Sequence, residues 1–271
     1  MSEETLSREQ VRERYLALEK KGLFDQHVDS IDMDKVIPVT KDYHYYPKSL
    51  SEWLVKTARY ELGVRPFMRK INRRCLETEV VGRRNLRGVK SAIVVCNHVH
   101  MFDCVALKKA MKGHYLNVVA ASFNNFKGKL GDGMRASGML PLPESFDGMK
   151  SFEAALEKSL RKRHYVLFFP ERAEWWYYHK LRPFKDGAFH YAIKYGVPIV
   201  PCYISFAPRK KPFPNPEGDY PERMIVHILS PIYPDGQRDF SHERERLKSE
   251  AFEECADCYE RSYGVKLSYG D

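Results

Sequence analysis

From Glu79 onward, short apolar runs alternate with helix-length stretches, and this alternation constrains the fold more than any other feature. Strand-like runs occur at 79–82, 92–96, 116–121, 165–169, 197–206 and 224–229. Helical stretches lie among them and after them, at 103–112, 148–163, 186–195 and 241–263. Strands that alternate with helices predict an α/β fold, with a mostly parallel central sheet covered by helices.

The residues before this region predict a helical appendage at the N-terminus. Residues 5–22 are predicted to form a helix, since 7–10 match a capping box and Gly22 is a stop signal. The irregular residues 25–47 predict a linker on the surface, and 49–74 predict a second helix with a kink or break near Gly63 and Pro66. We therefore divide the chain into an N-terminal helical, basic segment (1–74) and an α/β domain (75–271).

Positive charge is concentrated in one part of the chain. The formal net charge is +9, and residues 41–90 contain 13 Lys and Arg against 5 Asp and Glu. Within 49–74 these basic residues are interleaved with Trp53, Leu54, Leu62, Phe67 and other apolar side chains. A helix of this kind is typical of the membrane interface, so we expect peripheral binding to an anionic membrane. The alternative is that its apolar side packs on the domain and its basic side is solvated.

Other features of the composition narrow the cellular setting. No stretch approaches the ~18 to 20 apolar residues of a membrane span, and the acidic start of the chain has no apolar core of a secretory signal. The six cysteines are scattered, which favours free thiols in a reducing compartment. We expect a cytoplasmic protein, peripheral on the inner face of the cell membrane. No nucleic-acid-binding module is recognisable, so no nucleic-acid partner is expected.

The clearest chemical signal is the turn between the predicted strand 92–96 and the predicted helix 103–112. Asn97 and His98 begin this turn, and Asp103 follows five positions after His98. In open α/β sheets, ligands bind at this end of the strands. A carboxylate folded back onto one imidazole nitrogen would fix the tautomer and leave the other nitrogen as a base. The alternative is that Asp103 caps the helix and His98 satisfies backbone groups.

A second set of polar residues follows the predicted strand 165–169. Glu171 and Arg172 come directly after Pro170, and in a parallel sheet this turn lies at the same edge as His98. We expect Glu171 to bind substrate hydroxyls or position a cation, with phosphate candidates at Arg172, Lys180, Arg182 and Lys185. A surface cluster of salt bridges is the alternative. Four adjacent aromatic residues, 175–178, cannot all face one core and predict a groove, a lipid contact or a partner.

Four blocks in fixed order resemble the PlsC-like glycerolipid acyltransferases, typified by 1-acyl-glycerol-3-phosphate acyltransferase. The family's Asn-His followed by four residues and Asp matches 97–103, and its Val-Pro-Ile-Val-Pro matches 197–201. The Gly-led second block corresponds to 138–144, and Phe-Pro-Glu-Gly-Thr-Arg corresponds to 169–174. The resemblance covers roughly residues 75–235. It identifies 75–271 as an acyltransferase domain.

The resemblance implies a mechanism and leaves the acceptor open. His98, oriented by Asp103, would deprotonate an acceptor hydroxyl that attacks acyl-CoA or acyl-carrier protein, with no metal or other cofactor. Asn97, Glu171, Arg172, Lys180 and Arg182 are the expected substrate-binding residues. The default acceptor is 1-acyl-glycerol-3-phosphate, giving phosphatidic acid. However, Glu144 replaces the phosphate-contacting Arg of the second block, and 172–174 depart from Gly-Thr-Arg. A non-phosphate polyol is therefore the alternative acceptor.

Two other functions compete with acyl transfer. His98 and His100 form His-x-His, which occurs in metal-dependent hydrolases, but Asp103 and Cys104 do not continue that pattern. The lone Cys-x-x-Cys at 255–258 has no second pair and is interpreted as packing. A catalytically inactive scaffold is the other rival. Thioester turnover distinguishes an enzyme from a scaffold.

Overall fold

The computed structural model describes residues 8–27, 35–212 and 220–270. Within this part of the chain, seven strands form one sheet in the order β1-β7-β6-β2-β5-β3-β4. Adjacent strands are parallel except β6 and β7. The strands are β1 (Glu79–Val81), β2 (Ala92–Cys96), β3 (Leu116–Ala120), β4 (Met139–Pro141), β5 (Tyr165–Phe168), β6 (Ile199–Pro208) and β7 (Glu222–Ile228). The predicted α/β fold is confirmed.

Helices cover both faces of this sheet, and the side chains of β2 show how. The covering helices are α4 (Asp103–Ala110), α5 (Gly128–Ala136), α6 (Phe146–Arg161), α7 (Gly187–Tyr195) and α8 (Phe240–Tyr263). Ile93 and Val95 belong to the core cluster shared with α6, α7 and α8. Val94 and Cys96 belong to the opposite cluster, shared with α4. Successive side chains of a strand point to opposite faces of the sheet. Since helices cover both faces, all of β2 is buried.

The N-terminal part contains the predicted helices. Helix α1 (Arg8–Lys20) is followed much later by α2 (Leu50–Ala58) and α3 (Arg65–Lys70). Two π-helical segments, Arg59–Val64 and Ile71–Cys75, continue α2 and α3, so residues 50–75 form one helical rod, here called the basic helix. The predicted break near Gly63 and Pro66 is therefore a change of helical pitch, and Pro66 lies in the first turn of α3, where its missing N–H costs little.

Parts of the predicted N-terminus lie outside the described residues. These are the start of the capping box at Ser7 and residues 28–34 of the linker. Within residues 8–27, 35–212 and 220–270, no helix is both long and apolar enough to cross a bilayer. The division of the chain near residue 75 stays a prediction.

Candidate active site

His98 lies on the turn that connects the carboxyl end of β2 to α4, and Asp103 is the first residue of α4. One carboxylate oxygen of Asp103, Oδ2, accepts three hydrogen bonds: from Nδ1 of His98 at 2.9 Å, from the amide of Val99 at 2.7 Å and from the amide of His100 at 3.0 Å. Asp103 thus holds both the imidazole ring and the backbone of the turn. The carboxylate therefore folds back onto the imidazole as the spacing predicts, and the alternative in which Asp103 caps the helix is not realised, because Phe102 is the N-cap residue of α4.

The ring of His98 is placed to present its second nitrogen to a substrate. It stacks on Phe169 at a centroid distance of 3.9 Å, and 21% of its side chain is exposed, whereas Asp103 is fully buried. With Nδ1 donating to Asp103, Nε2 is the acceptor nitrogen. Burial lowers the pKa of His98, so the imidazole is neutral at neutral pH, as a general base requires. Burial raises the pKa of Asp103, and the hydrogen bonds from Val99 and His100 act against that rise.

Asn97 has a different environment from the one expected of a substrate-binding residue. Its side chain is buried, and its amide exchanges two hydrogen bonds with the backbone of Ile204 in β6, at 3.0 Å and 2.7 Å. Both polar atoms are therefore engaged within the protein. Asn97 joins the end of β2 to β6 and so fixes where the His98 turn begins.

Glu171 and Arg182 also differ from the expectation that they bind substrate. Their side chains are fully buried and form an ion pair at 2.6 Å. A phosphate at the surface cannot reach a guanidinium that is enclosed in this way. Both residues contact the backbone of His98 instead. Glu171 and Arg182 therefore lie beneath the surface of the candidate active site and contact it through the backbone of His98.

The remaining predicted cations each have an acidic neighbour from the N-terminal part of the chain. Lys180 binds Glu19 of α1 at 2.8 Å. Lys185 binds Asp25 at 2.9 Å, and Arg172 lies 3.6 Å from the same carboxylate. Arg172 differs from the others because 69% of its side chain is exposed. It is the predicted phosphate residue whose charge is most accessible.

Two acidic residues occupy positions where the resembling family has arginine. Glu144 follows β4 at the carboxyl edge of the sheet and accepts a hydrogen bond from Ser122 at 2.7 Å. Glu174 is half-buried and raises the pKa of His98 through its charge, opposing burial, which is the larger influence. Glu174 therefore lies close enough to the base to affect it electrostatically. Glu174 is not among the site residues predicted from the sequence.

Of the four adjacent aromatic residues, Trp175 and Tyr178 are buried, and Trp176 and Tyr177 are half-buried. Trp175 and Tyr178 form a cluster with Tyr15 of α1, whose ring stacks on Trp175 at 4.9 Å. Tyr177 faces the other way, against Phe206. The expectation of a groove, a lipid contact or a partner is corrected: α1 supplies the second packing surface. No sequence signal pairs α1 with residues 160 positions away.

His100 and the cysteines contribute no metal site. His100 is buried, its Nδ1 accepts a hydrogen bond from the amide of Phe102, and its ring packs near Tyr220. All six cysteines are free, and Cys255 and Cys258 are buried against the sheet. Among the described residues, no group of three or more His, Cys, Asp or Glu side chains is placed to hold a metal ion.

Comparisons with known proteins agree with this architecture. Residues 77–205 match the family model described as Acyltransferase. A Schizosaccharomyces pombe protein described as an uncharacterized acyltransferase is 28% identical over 185 residues, which span 64% of this chain and 64% of the relative's length. The crystal structure of the 1-acyl-sn-glycerophosphate (LPA) acyltransferase PlsC from Thermotoga maritima superposes with a TM-score of 0.51 and covers 80% of this chain and 83% of its own. At 16% identity, this second likeness supports the fold alone.

Proposed function

We propose that this chain, whose residues 77–205 match the acyltransferase family model, transfers a fatty acyl group from a thioester to a hydroxyl of a glycerolipid. The donor would be acyl-CoA or acyl-carrier protein. The observation that carries the proposal is the 2.9 Å contact between His98 and Asp103 at the carboxyl end of β2. It leaves one nitrogen of a partly exposed, neutral imidazole available as a base.

We propose direct transfer without an acyl-enzyme. Nε2 of His98 removes the proton of the acceptor hydroxyl, and the oxygen attacks the carbonyl carbon of the thioester. The tetrahedral intermediate then collapses, the carbon–sulfur bond breaks, and the proton on His98 passes to the leaving thiolate. Asp103 stabilises the imidazolium between these steps through its hydrogen bond to Nδ1.

Product analysis tests the proposal. The purified protein is incubated with acyl-CoA or acyl-carrier protein and a panel of hydroxylated acceptors, and products are identified by lipid mass spectrometry while free thiol is measured. We expect thiol release that requires an acceptor, together with an equal amount of acylated lipid. Thiol release with free fatty acid as the only lipid product would contradict acyl transfer and indicate a hydrolase. Absence of thiol release with every donor and acceptor would favour a scaffold.

The default acceptor is 1-acyl-glycerol-3-phosphate, with phosphatidic acid as product. The four-block resemblance and the substrate named for the Thermotoga maritima enzyme support this proposal. Arg172 is the residue that we expect to contact the phosphate. Its side chain is 69% exposed, and its ion pair with Asp25, at 3.6 Å, is longer than those of Lys180 and Lys185. Its backbone has a φ of 75°, in the left-handed region where the resembling family has glycine.

We expect the change Arg172→Gly to raise the KM for 1-acyl-glycerol-3-phosphate about tenfold, because a charge-assisted hydrogen bond to the phosphate is lost. Glycine is preferred to alanine here since it tolerates the left-handed backbone. The KM for the acyl donor should change less than about twofold. Arg161→Ala, which removes an exposed arginine paired with Glu157, is the matched control. If the uncharged monoacylglycerol is used as well as the phosphate acceptor, the polyol alternative is correct.

The basic helix supports a peripheral membrane position. Trp53, Leu54, Val55 and Leu62 each expose more than half of their area, and Leu62 exposes 81%. Met101, three residues after His98, exposes 65%. Exposed apolar side chains interleaved with Lys and Arg suit the headgroup region of an anionic bilayer. We propose that this surface holds the active site against its lipid substrate.

Replacing Trp53 and Leu62 with serine should weaken binding to anionic vesicles at least tenfold, because two side chains lose apolar contact with the bilayer. The fold should survive, since both side chains are exposed. Sedimentation with vesicles measures the effect, and binding of the unchanged protein should also fall steeply with salt, because each basic residue near the surface adds about 1 kcal/mol. Tyr233→Ser removes an exposed aromatic elsewhere and is the control. Equal binding to neutral vesicles at high salt would contradict this proposal.

A further inference from the structure

One buried ion pair holds both peptide groups of His98. Oε2 of Glu171 accepts the amide N–H of His98 at 3.0 Å, and Nη2 of Arg182 donates to the carbonyl oxygen of His98 at 2.9 Å. The same two atoms, Oε2 and Nη2, contact each other at 2.6 Å. The backbone of His98 is therefore fixed on both sides by groups that are themselves fully buried.

Arg182 connects this pair to three further residues. Its guanidinium donates to the carbonyl oxygens of Ala173 at 2.7 Å and Phe24 at 3.0 Å, and it lies 4.6 Å from the ring centre of Trp175. The amide of Arg182 donates to Oε1 of Glu171 at 2.8 Å, so both carboxylate oxygens are engaged. A planar guanidinium can meet several carbonyls in fixed directions, which the single ammonium of lysine cannot do.

The N-terminal segment covers this arrangement. Tyr15 stacks on the face of Trp175, and the indole N–H of Trp175 donates to the carbonyl of Gln26 at 3.0 Å. These contacts exclude water from the ion pair, which strengthens its electrostatic attraction and its hydrogen bonds. The base is thus supported from residues 15–27 at one end of the chain and from residues 171–182 in its middle.

We infer that Glu171 and Arg182 are positioning residues that fix the backbone of His98 in its catalytic orientation. The inference deepens the proposed function and rests on His98 acting as the general base. Asp103 holds the imidazole ring, whereas Glu171 and Arg182 hold the peptide groups from which the ring extends. The two sets of contacts are complementary, because a ring held only at Nδ1 can move with its backbone. Neither positioning residue touches the substrate.

The main test is Arg182→Lys in the full chain. The positive charge is kept for Glu171, but one ammonium cannot bond the carbonyls of Phe24, His98 and Ala173 together. We expect kcat to fall about 10- to 100-fold, because small displacements of a catalytic group have effects of this size. The KM values for donor and acceptor should stay within about threefold, since no substrate contact is lost.

A second readout does not require turnover. In protein with ¹⁵N-labelled histidine, the NMR signals of the His98 ring report its tautomer and its hydrogen bond to Asp103. We expect these signals to shift or broaden in Arg182→Lys, whereas those of His227, bonded to Ser205 in another part of the sheet, should not move. If the unchanged protein transfers no acyl group but the His98 signals respond, the proposed function fails and the positioning role stands.

The double variant Glu171→Gln with Arg182→Gln covers the case in which a single change unfolds the protein. It leaves no unpaired buried charge, so the chain should fold and still show the loss of kcat. Arg246→Lys is the matched control for Arg182→Lys, since it keeps a positive charge beside the buried Glu243 on α8, and its activity should be unchanged. A folded variant with normal kcat and unchanged His98 signals would overturn the inference. Unfolding of both Arg182→Lys and the double variant would also overturn it, by assigning the pair to stability.

Discussion

His98→Ala should lower kcat at least 10²-fold, which is the scale of a positioned general base. Without the imidazole, the base that Asp103 orients is lost. The fold should be retained, because His98 is partly exposed and its ring stacks on Phe169 and bonds to Asp103 at the edge of the site. Turnover is measured as acceptor-dependent thiol release, and the thermal midpoint is recorded alongside.

His242→Ala provides the control for this experiment. His242 lies near the start of α8 and exposes 88% of its side chain, so its removal should leave both kcat and the thermal midpoint unchanged. A His98→Ala protein that folds and turns over at a near-normal rate would eliminate the general-base mechanism. Acyl transfer would then need another base.

Sequence patterns predicted most of the fold because they report burial. The continuous apolar run of β2 is buried on both faces of the sheet, as a covered parallel strand requires. Among the strands and α-helices of the described residues, β4 and α5 were not predicted, and both contain weak local signals. Strand β4 has only three residues, and α5 contains three glycines, at 128, 131 and 133, which disfavour a helix.

Packing explains why one of those glycines is present. A Cβ atom at Gly131 would lie 1.7 Å from the carbonyl oxygen of Phe126, so no larger residue fits without a shift of the backbone. Helix α5 forms in spite of its glycines, and Gly131 is needed because the backbone of Phe126 lies so close to it. Propensity alone cannot report a constraint that comes from tertiary contact.

In the candidate site too, contacts between residues close in sequence were predictable, and contacts with distant segments were not. The spacing of His98 and Asp103 is local, and it correctly placed the imidazole within hydrogen-bond distance of the carboxylate. The environments of Lys180 and Arg182 depend on chain segments far away in sequence, at Glu19 and Phe24. A basic residue near a motif can bind a phosphate or fill an internal ion pair, and sequence cannot distinguish these.

The three groups that donate hydrogen bonds to Asp103 determine how an asparagine at this position would be oriented. In Asp103→Asn, the side-chain oxygen can keep all three hydrogen bonds, because each partner of Oδ2 donates. The opposite orientation would direct an NH₂ group at the amides of Val99 and His100. The backbone therefore favours the orientation in which His98 keeps its proton on Nδ1. Loss of activity in this variant would therefore have an electrostatic cause, and not a wrong tautomer of His98.

We expect Asp103→Asn to lower kcat about 10²-fold, because a neutral amide cannot stabilise the imidazolium, and a hydrogen bond to a charged group contributes about 1.5 to 3 kcal/mol. Stability should fall as well, since the new NH₂ group would take the place of the buried Oδ1, which has no hydrogen-bond partner among the described residues. Asp239→Asn is the control, as Asp239 accepts amides at the start of α8. NMR of ¹⁵N-labelled histidine should still place the proton on Nδ1 of His98. A proton on Nε2 would instead restore the tautomer explanation, and a kcat above half of normal would exclude both.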